Sequence, residues 1–202
     1  MSATARKRDP KATRQRILTA AGRLLAQGEG ALEMAWVARE AGVSQGLAYH
    51  HFGSKDGLIQ AVVSDFYDRI EEAVLMARLE EIDDWELRER QRVHQYIEFL
   101  LDDPLGVTVI TRLAHTPAVA AVEAERWYAL VSVGARNIAE GQASGAVGAT
   151  EHSELLAAMV LGSIRAAVAR AVLEDSARNV QQLAQDIWAY ARRGLCLEVT
   201  NE

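Results

Sequence analysis

The chain has 202 residues, 50% of them hydrophobic and 25% charged, enough to bury a sizeable core in one or two compact domains. That composition, with 14 glycines, 3 prolines and a single cysteine, excludes a disordered or collagen-like chain and a disulfide scaffold. The opening MSATARKRDP has no apolar stretch behind its basic residues and does not read as a secretory signal; no later run is expected to reach the length of a membrane span, so no membrane partner is expected and the cytoplasm is the expected compartment. The net charge of −6 is unevenly spread: residues 1–58 hold nine Lys or Arg against five acids, a net +4, leaving −10 on the remainder. A basic end on an acidic body suits either contact with a polyanion or a solvated basic tail.

Apolar positions recur at spacings of three and four throughout, and no strand-like alternation is sustained, so the fold class is all-α. In the first helix Asp9 is placed to cap, Pro10 suits the first turn, and Ile17, Ala21, Leu24 and Leu25 share a face, with Gly28 and Gly30 at the end. A short helix from about Met34 to Ala41 stops at Gly42, where a left-handed residue belongs, and Ser44 caps a third helix running to about His51. Gly53-Ser54 interrupts it, and Ser54 caps a helix of more than twenty residues that carries Leu58, Val62, Phe66, Ile70 and Val74 at steps of four. Further helices are predicted over 85–102, 104–115, 118–143, 151–174 and 180–197. The domain boundary falls inside the long helix: residues 1–58 form one domain, with a helix-turn-helix over about 34–52, and residues 59–202 form a larger helical domain.

Two short helices joined by a turn at Gly42 and packed on a basic first helix make a helix-turn-helix, whose second helix is the one that enters the major groove. Its exposed start carries small and polar groups. Gln45 suits paired hydrogen bonds to adenine, Gly46 permits close backbone approach, and Leu47 can touch a thymine methyl. Tyr49, His50 and Lys55 suit phosphate, Lys55 lying with free N–H groups at a helix N-terminus. Lys11 and Arg14 crowd the opening turn of the first helix, where the helix dipole disfavours cations and a phosphate neighbour would account for them.

The stretch from Val37 to Leu58, VAREAGVSQGLAYHHFGSKDGL, closely resembles the DNA-binding signature of the TetR family of bacterial transcriptional regulators, over about residues 11–70. The resemblance implies an all-helical homodimer, usually a repressor, whose N-terminal domains bind a palindromic operator and whose larger domains hold a small-molecule inducer. It places base-facing positions on Gln45, Gly46 and Leu47, and phosphate-facing positions on Ser44, Tyr49, His50 and Lys55. One departure stands out. Many members carry a Thr at the start of the second helix, where this chain reads Leu32-Glu33-Met34-Ala35, and Glu33 would repel a phosphate if it faced DNA. The alternative reading is therefore a helical interaction module with lapsed DNA binding. By family layout the inducer pocket is expected among Phe66, Ile70, Tyr96, Leu100, Leu113, Trp127 and Val131, and the apolar body suits a hydrophobic or aromatic molecule.

Other residues carry blander readings. Trp85, Phe99, Trp127 and Tyr128 suit either a cavity lining or core packing. His50 and His51 diverge by about 100° on a helix and make no metal pair. Cys196 reads as a packed residue near the end of the last helix. No catalytic constellation, metal site or cofactor motif is present, so the chain is not expected to be an enzyme. On the last two helices, Leu155, Met159, Gly162, Ala166, Ala169 and Leu173 form one stripe, and Leu183, Ile187, Tyr190 and Gly194 another. Either these are intrachain core, or they pack as a four-helix bundle between two copies.

Overall fold

The computed structural model describes residues 9–28, 31–75, 79, 81–148, 152–174 and 179–195, which form helices and no strands. In order these are α1 (Pro10–Gln27), α2 (Met34–Glu40), α3 (Gln45–Phe52), α4 (Lys55–Ile70), a π turn (Glu71–Leu75), α5 (Trp85–Asp102), α6 (Gly106–Thr111), a 3-10 turn (Leu113–His115), α7 (Ala120–Ser144), α8 (Ser153–Leu173) and α9 (Val180–Gly194).

Local chemistry explains the N-terminal boundaries. Asp9 accepts the Lys11 amide at 2.9 Å with Pro10 in the first turn, Ser44 accepts the Leu47 amide at 3.2 Å, and Ser54 accepts the Gly57 amide at 2.9 Å. Gly42 ends α2 at φ 64°, a left-handed conformation that costs a side chain-bearing residue strain. Gly30 and Cys196 lie outside the described residues. Ile17, Leu25, Val37, Ala48 and Leu58 form the core that fixes α1 to α4 around one another.

The long fourth helix differs from the expected one. It is α-helical only to Ile70 and continues as the π turn, yet Leu58, Val62, Phe66, Ile70 and Val74 are all buried. Steps of four overshoot a 3.6-residue turn by about 40° each, so four steps would rotate Val74 about 160° from Leu58 in a regular α-helix. A wider i→i+5 turn takes up part of that drift and keeps Val74 inward. The helix predicted over 104–115 is likewise divided, into α6 and the 3-10 turn.

Helix α4 joins the two halves of the molecule. Gln60 donates to the Ala118 carbonyl at 2.6 Å, Asp68 pairs with Arg126 at 2.6 Å, and Arg69 pairs with Asp65 and Asp103 while lying over the rings of Phe66 and Phe99. The body is built on the α7–α8 pair, with α9 against α5 and α8. By length and composition alone α8, 21 residues and largely apolar, is long enough to cross a membrane. That corrects the expectation that no run reaches span length. Leu156, Ala157, Ile164, Val168 and Ala171 of α8 are buried, while other apolar residues of the same helix face outward.

Candidate nucleic-acid interface and bundle cavity

Because Ser44 caps α3 and Ala48 is fully buried beneath it, the opening turn of α3 is turned outward. Ser44, Gln45, Gly46, Tyr49 and His50 are exposed and Leu47 is half-buried. A Cβ on Gly46 would meet nothing within 4 Å, so the backbone there is open to close approach. Lys11 and Arg14 are exposed at the start of α1, and the Arg14 guanidinium lies 5.1 Å from the centroid of the Phe52 ring, so the first turn of α1 crosses the end of α3. All nine residues singled out for nucleic-acid contact thus belong to three neighbouring helices, α1, α3 and α4. The α2 face adds Trp36, 52% exposed, to which the sequence reading assigned nothing.

Glu33 sits at the N-cap position of α2 without a capping bond, and its Oε1 is 3.9 Å from Lys55 Nζ. Both side chains are about half exposed, so this carboxylate partly screens the cation at the start of α4.

The body contains a cavity of about 70 Å³ between the π turn, α5, α7, α8 and α9. Its walls are largely apolar, with Trp85, Tyr96 and Trp188 as aromatic members and Leu130, Ile138, Ala157, Val160 and Leu161 among the aliphatic ones. One end is polar. Arg92 Nε donates to both Glu89 oxygens at 3.3 and 3.2 Å, Asn137 donates to Glu89 at 3.4 Å, and Arg92 Nη1 donates to the Val74 carbonyl at 3.0 Å. Trp85 is held by its indole N–H on the Asn137 carbonyl at 2.7 Å. The Tyr96 hydroxyl is buried and makes no hydrogen bond among the described residues; burial pushes its pKa above the ordinary phenol range, against the opposing pull of the neighbouring Arg165.

The cavity and the expected pocket overlap at one residue. Of the seven expected residues only Tyr96 lines the cavity. Phe66, Ile70, Leu100 and Leu113 are fully buried among α4, α5 and α6, Val131 is half-buried outside the cavity, and Trp127 is covered by the Arg165 guanidinium 4.3 Å from its ring centroid. The open space lies one layer further into the body, where α5, α7, α8 and α9 meet. Of the other aromatic residues considered, Trp85 is in the cavity wall, Phe99 packs at 5.7 Å from Phe66 and Tyr128 is exposed.

A second buried constellation ties α4 to α7 and α8. Tyr67 donates to Glu123 Oε2 at 2.6 Å, Arg165 Nη1 donates to Glu123 Oε1 at 2.7 Å, and Arg165 Nη2 donates to the Tyr67 hydroxyl. Burial raises the Tyr67 pKa above the ordinary phenol range, against the opposing pull of Arg165. Burial alone would lower the Arg165 pKa, but its neighbours Tyr96, Tyr67 and Glu123 outweigh burial and raise it above the ordinary guanidinium value. The sequence carried a signal for this group: Arg165 is the single charge between Leu155 and Ala169, and a charge in so apolar a run requires a partner.

The two stripes of α8 and α9 separate. Leu155 and Met159 are each 54% exposed, Leu173 75% and Tyr190 60%; Ala166 and Gly194 are exposed, and Gly162 and Ala169 partly so. Leu183 and Ile187 are instead buried within the chain, because α9 turns that face onto its neighbours in the body. Among the described residues no cluster of His, Cys, Asp and Glu has metal-binding geometry.

Residues 17–62 match the family model of bacterial regulatory proteins, tetR family. No curated protein matches the sequence. Several solved structures share the fold over nearly the whole chain. The fatty acid degradation regulator FadR of Bacillus halodurans is 19% identical, with 96% of this chain and 100% of that one covered and a TM-score of 0.79. FadR of Bacillus subtilis in complex with stearoyl-CoA is 18% identical, covering 88% and 96%, with a TM-score of 0.74. RolR in complex with resorcinol is 21% identical, covering 94% and 90%, with a TM-score of 0.68.

Proposed function

We propose that this chain, which carries the helix-turn-helix domain of the tetR family of bacterial transcriptional regulators, is a repressor that binds a palindromic operator as a homodimer and is released by a small apolar or aromatic inducer. The observation that carries this reading is the exposed, capped start of α3 within the segment that matches the family. Gln45, Gly46 and Leu47 face the bases in this reading, while Ser44, Tyr49, His50, Lys55, Lys11 and Arg14 meet phosphate. The outward apolar residues of α8 and the adjoining Tyr190 and Gly194 of α9 pack against a second copy, which sets two recognition helices about one DNA turn or a multiple of it apart. Solved relatives of the same fold hold stearoyl-CoA and resorcinol, which supports an effector in the body.

The route from effector to DNA runs through α4. Val74, in the cavity wall, is four residues beyond Ile70, the end of the α-helix that begins at Lys55, and Arg92 holds its carbonyl. An occupant that moves Val74 or Arg92 shifts α4 and with it the recognition helix. It releases DNA only if it binds the shifted state more tightly.

The test is selection of bound duplexes from a random library at stated salt, with sedimentation of the same protein. An enriched palindrome and a dimer are expected. A folded dimer that enriches no sequence favours the interaction module, and a monomer at micromolar concentration removes the operator geometry.

Two substitutions separate the roles at the interface. Gln45→Ala is expected to cost about 1–3 kcal/mol at particular base pairs and to relax specificity there. Glu33→Gln removes the carboxylate beside Lys55, and is expected to strengthen binding to all duplexes alike by a few-fold, since an exposed pair is worth about 0.2–1 kcal/mol. Fluorescence-anisotropy titrations against operator and scrambled duplexes at several salt concentrations measure both, and an operator-selective gain from Glu33→Gln would contradict its assigned role.

A further inference from the structure

The cavity walls restrict what they can hold, and the inference drawn from them rests on reading the body as the effector-binding half. Trp85, Tyr96 and Trp188 offer three aromatic surfaces around a space of about 70 Å³. A dry cavity of about 150 Å³ holds benzene, and drug-sized ligands occupy about 300–1,000 Å³. At about half the volume that holds benzene, the space takes one ring only if wall residues such as Leu130, Ile138 and Leu161 shift outward, whereas a long acyl chain requires the helices to part.

The charged groups at the polar end are already matched. Glu89 accepts from Arg92 and Asn137, and Arg92 also holds the Val74 carbonyl, so an incoming carboxylate would meet Glu89. The buried Tyr96 hydroxyl makes no hydrogen bond among the described residues, and its neighbour Arg165 can only donate, so the hydroxyl's own proton has no acceptor there, which is unfavourable. We propose that the cavity takes a neutral, single-ring aromatic molecule bearing a hydroxyl group, which hydrogen-bonds to the Tyr96 hydroxyl while the ring packs between Trp85 and Trp188.

Isothermal titration of the full chain without DNA, using phenol, toluene, benzoate and decanoate, tests the assignment. Phenol is expected to bind more tightly than toluene, with benzoate and decanoate far weaker than either. Tyr96→Phe is expected to weaken phenol about tenfold, to the level of toluene, and to leave toluene unchanged. Val160→Phe fills the cavity from a half-buried position and is expected to abolish binding of both, with folding checked by circular dichroism. Tighter binding of benzoate or decanoate, phenol binding unchanged in Tyr96→Phe or in folded Val160→Phe, or no binding of any probe would overturn it. The readout contains no DNA, so its failure leaves the operator reading standing. Failure of the duplex selection likewise leaves the ligand assignment standing.

Discussion

Arg165→Met is expected to destabilise the protein by about 3–5 kcal/mol, because it leaves the Glu123 carboxylate buried with only the Tyr67 hydroxyl for company. The Glu123 and Arg165 side chains are only 11% and 17% exposed, so solvent replaces little of the lost interaction. At about 2–4 °C per kcal/mol for a chain of this size, the melting temperature falls by about 10 °C, which calorimetry reads directly. The double substitution Arg165→Met, Glu123→Leu is expected to recover most of the loss, since a well-packed apolar pair can replace a buried ion pair at little net cost. A single variant that melts like the parent would show that the constellation does not hold α4 to the body.

The same group predicts an alkaline limit. The folded-state pKa values of Tyr67 and Tyr96 are raised above their unfolded values, so their contribution is complete below the ordinary phenol pKa of about 10 and is lost as pH rises toward the folded values. The melting temperature is therefore expected to fall above about pH 10 more steeply in the parent than in Tyr67→Phe.

Contacts legible in the sequence were the ones made within a few residues. The Asp9 cap, the Gly42 turn and the Ser44 and Ser54 caps each join groups two or three positions apart, and they delimit the N-terminal helices to within a residue. The body obeys another logic. Glu89, Asn137 and Trp188 meet around one cavity from three helices, and no spacing along the chain encodes that meeting. Periodicity also fails where a helix is apolar on more than one side. Helix α8 buries Leu156 and Ile164 on one side and leaves the stripe of Leu155 and Met159 exposed on another, while the α9 stripe mixes buried Leu183 and Ile187 with exposed Tyr190 and Gly194. The π turn was concealed in the same way: steps of four looked regular, although an α-helix cannot keep them on one face.

Gly57→Ala is expected to disable DNA binding while leaving the body intact. Gly57 lies in the first turn of α4, its amide bonded to Ser54, and a Cβ there would stand 2.3 Å from the Phe52 carbonyl oxygen and 3.3 Å from Ser54 Oγ. The obstacle is backbone, so a rotamer change does not relieve it, and either α3 or the start of α4 must move at a cost of about 3 kcal/mol, the upper range for overpacking. Movement of α3 also displaces Phe52 from beneath Arg14 and carries Ser44 and Lys55 away from a common surface. Duplex affinity is expected to fall by about tenfold or more, 1.4 kcal/mol being a factor of ten. Hydrogen exchange should accelerate over residues 34–58 and stay at parental rates in α7 and α8. The control is Gly46→Ala, where the added methyl meets nothing in the free protein. That variant is expected to gain about 0.5–1 kcal/mol in stability, because glycine is costly inside a helix, and still to lose DNA affinity, because the methyl obstructs only the close approach of bases. If both variants lose stability and affinity in proportion, the loss of binding is a folding effect; stability rising while affinity falls in Gly46→Ala locates the contact surface on the opening turn of α3.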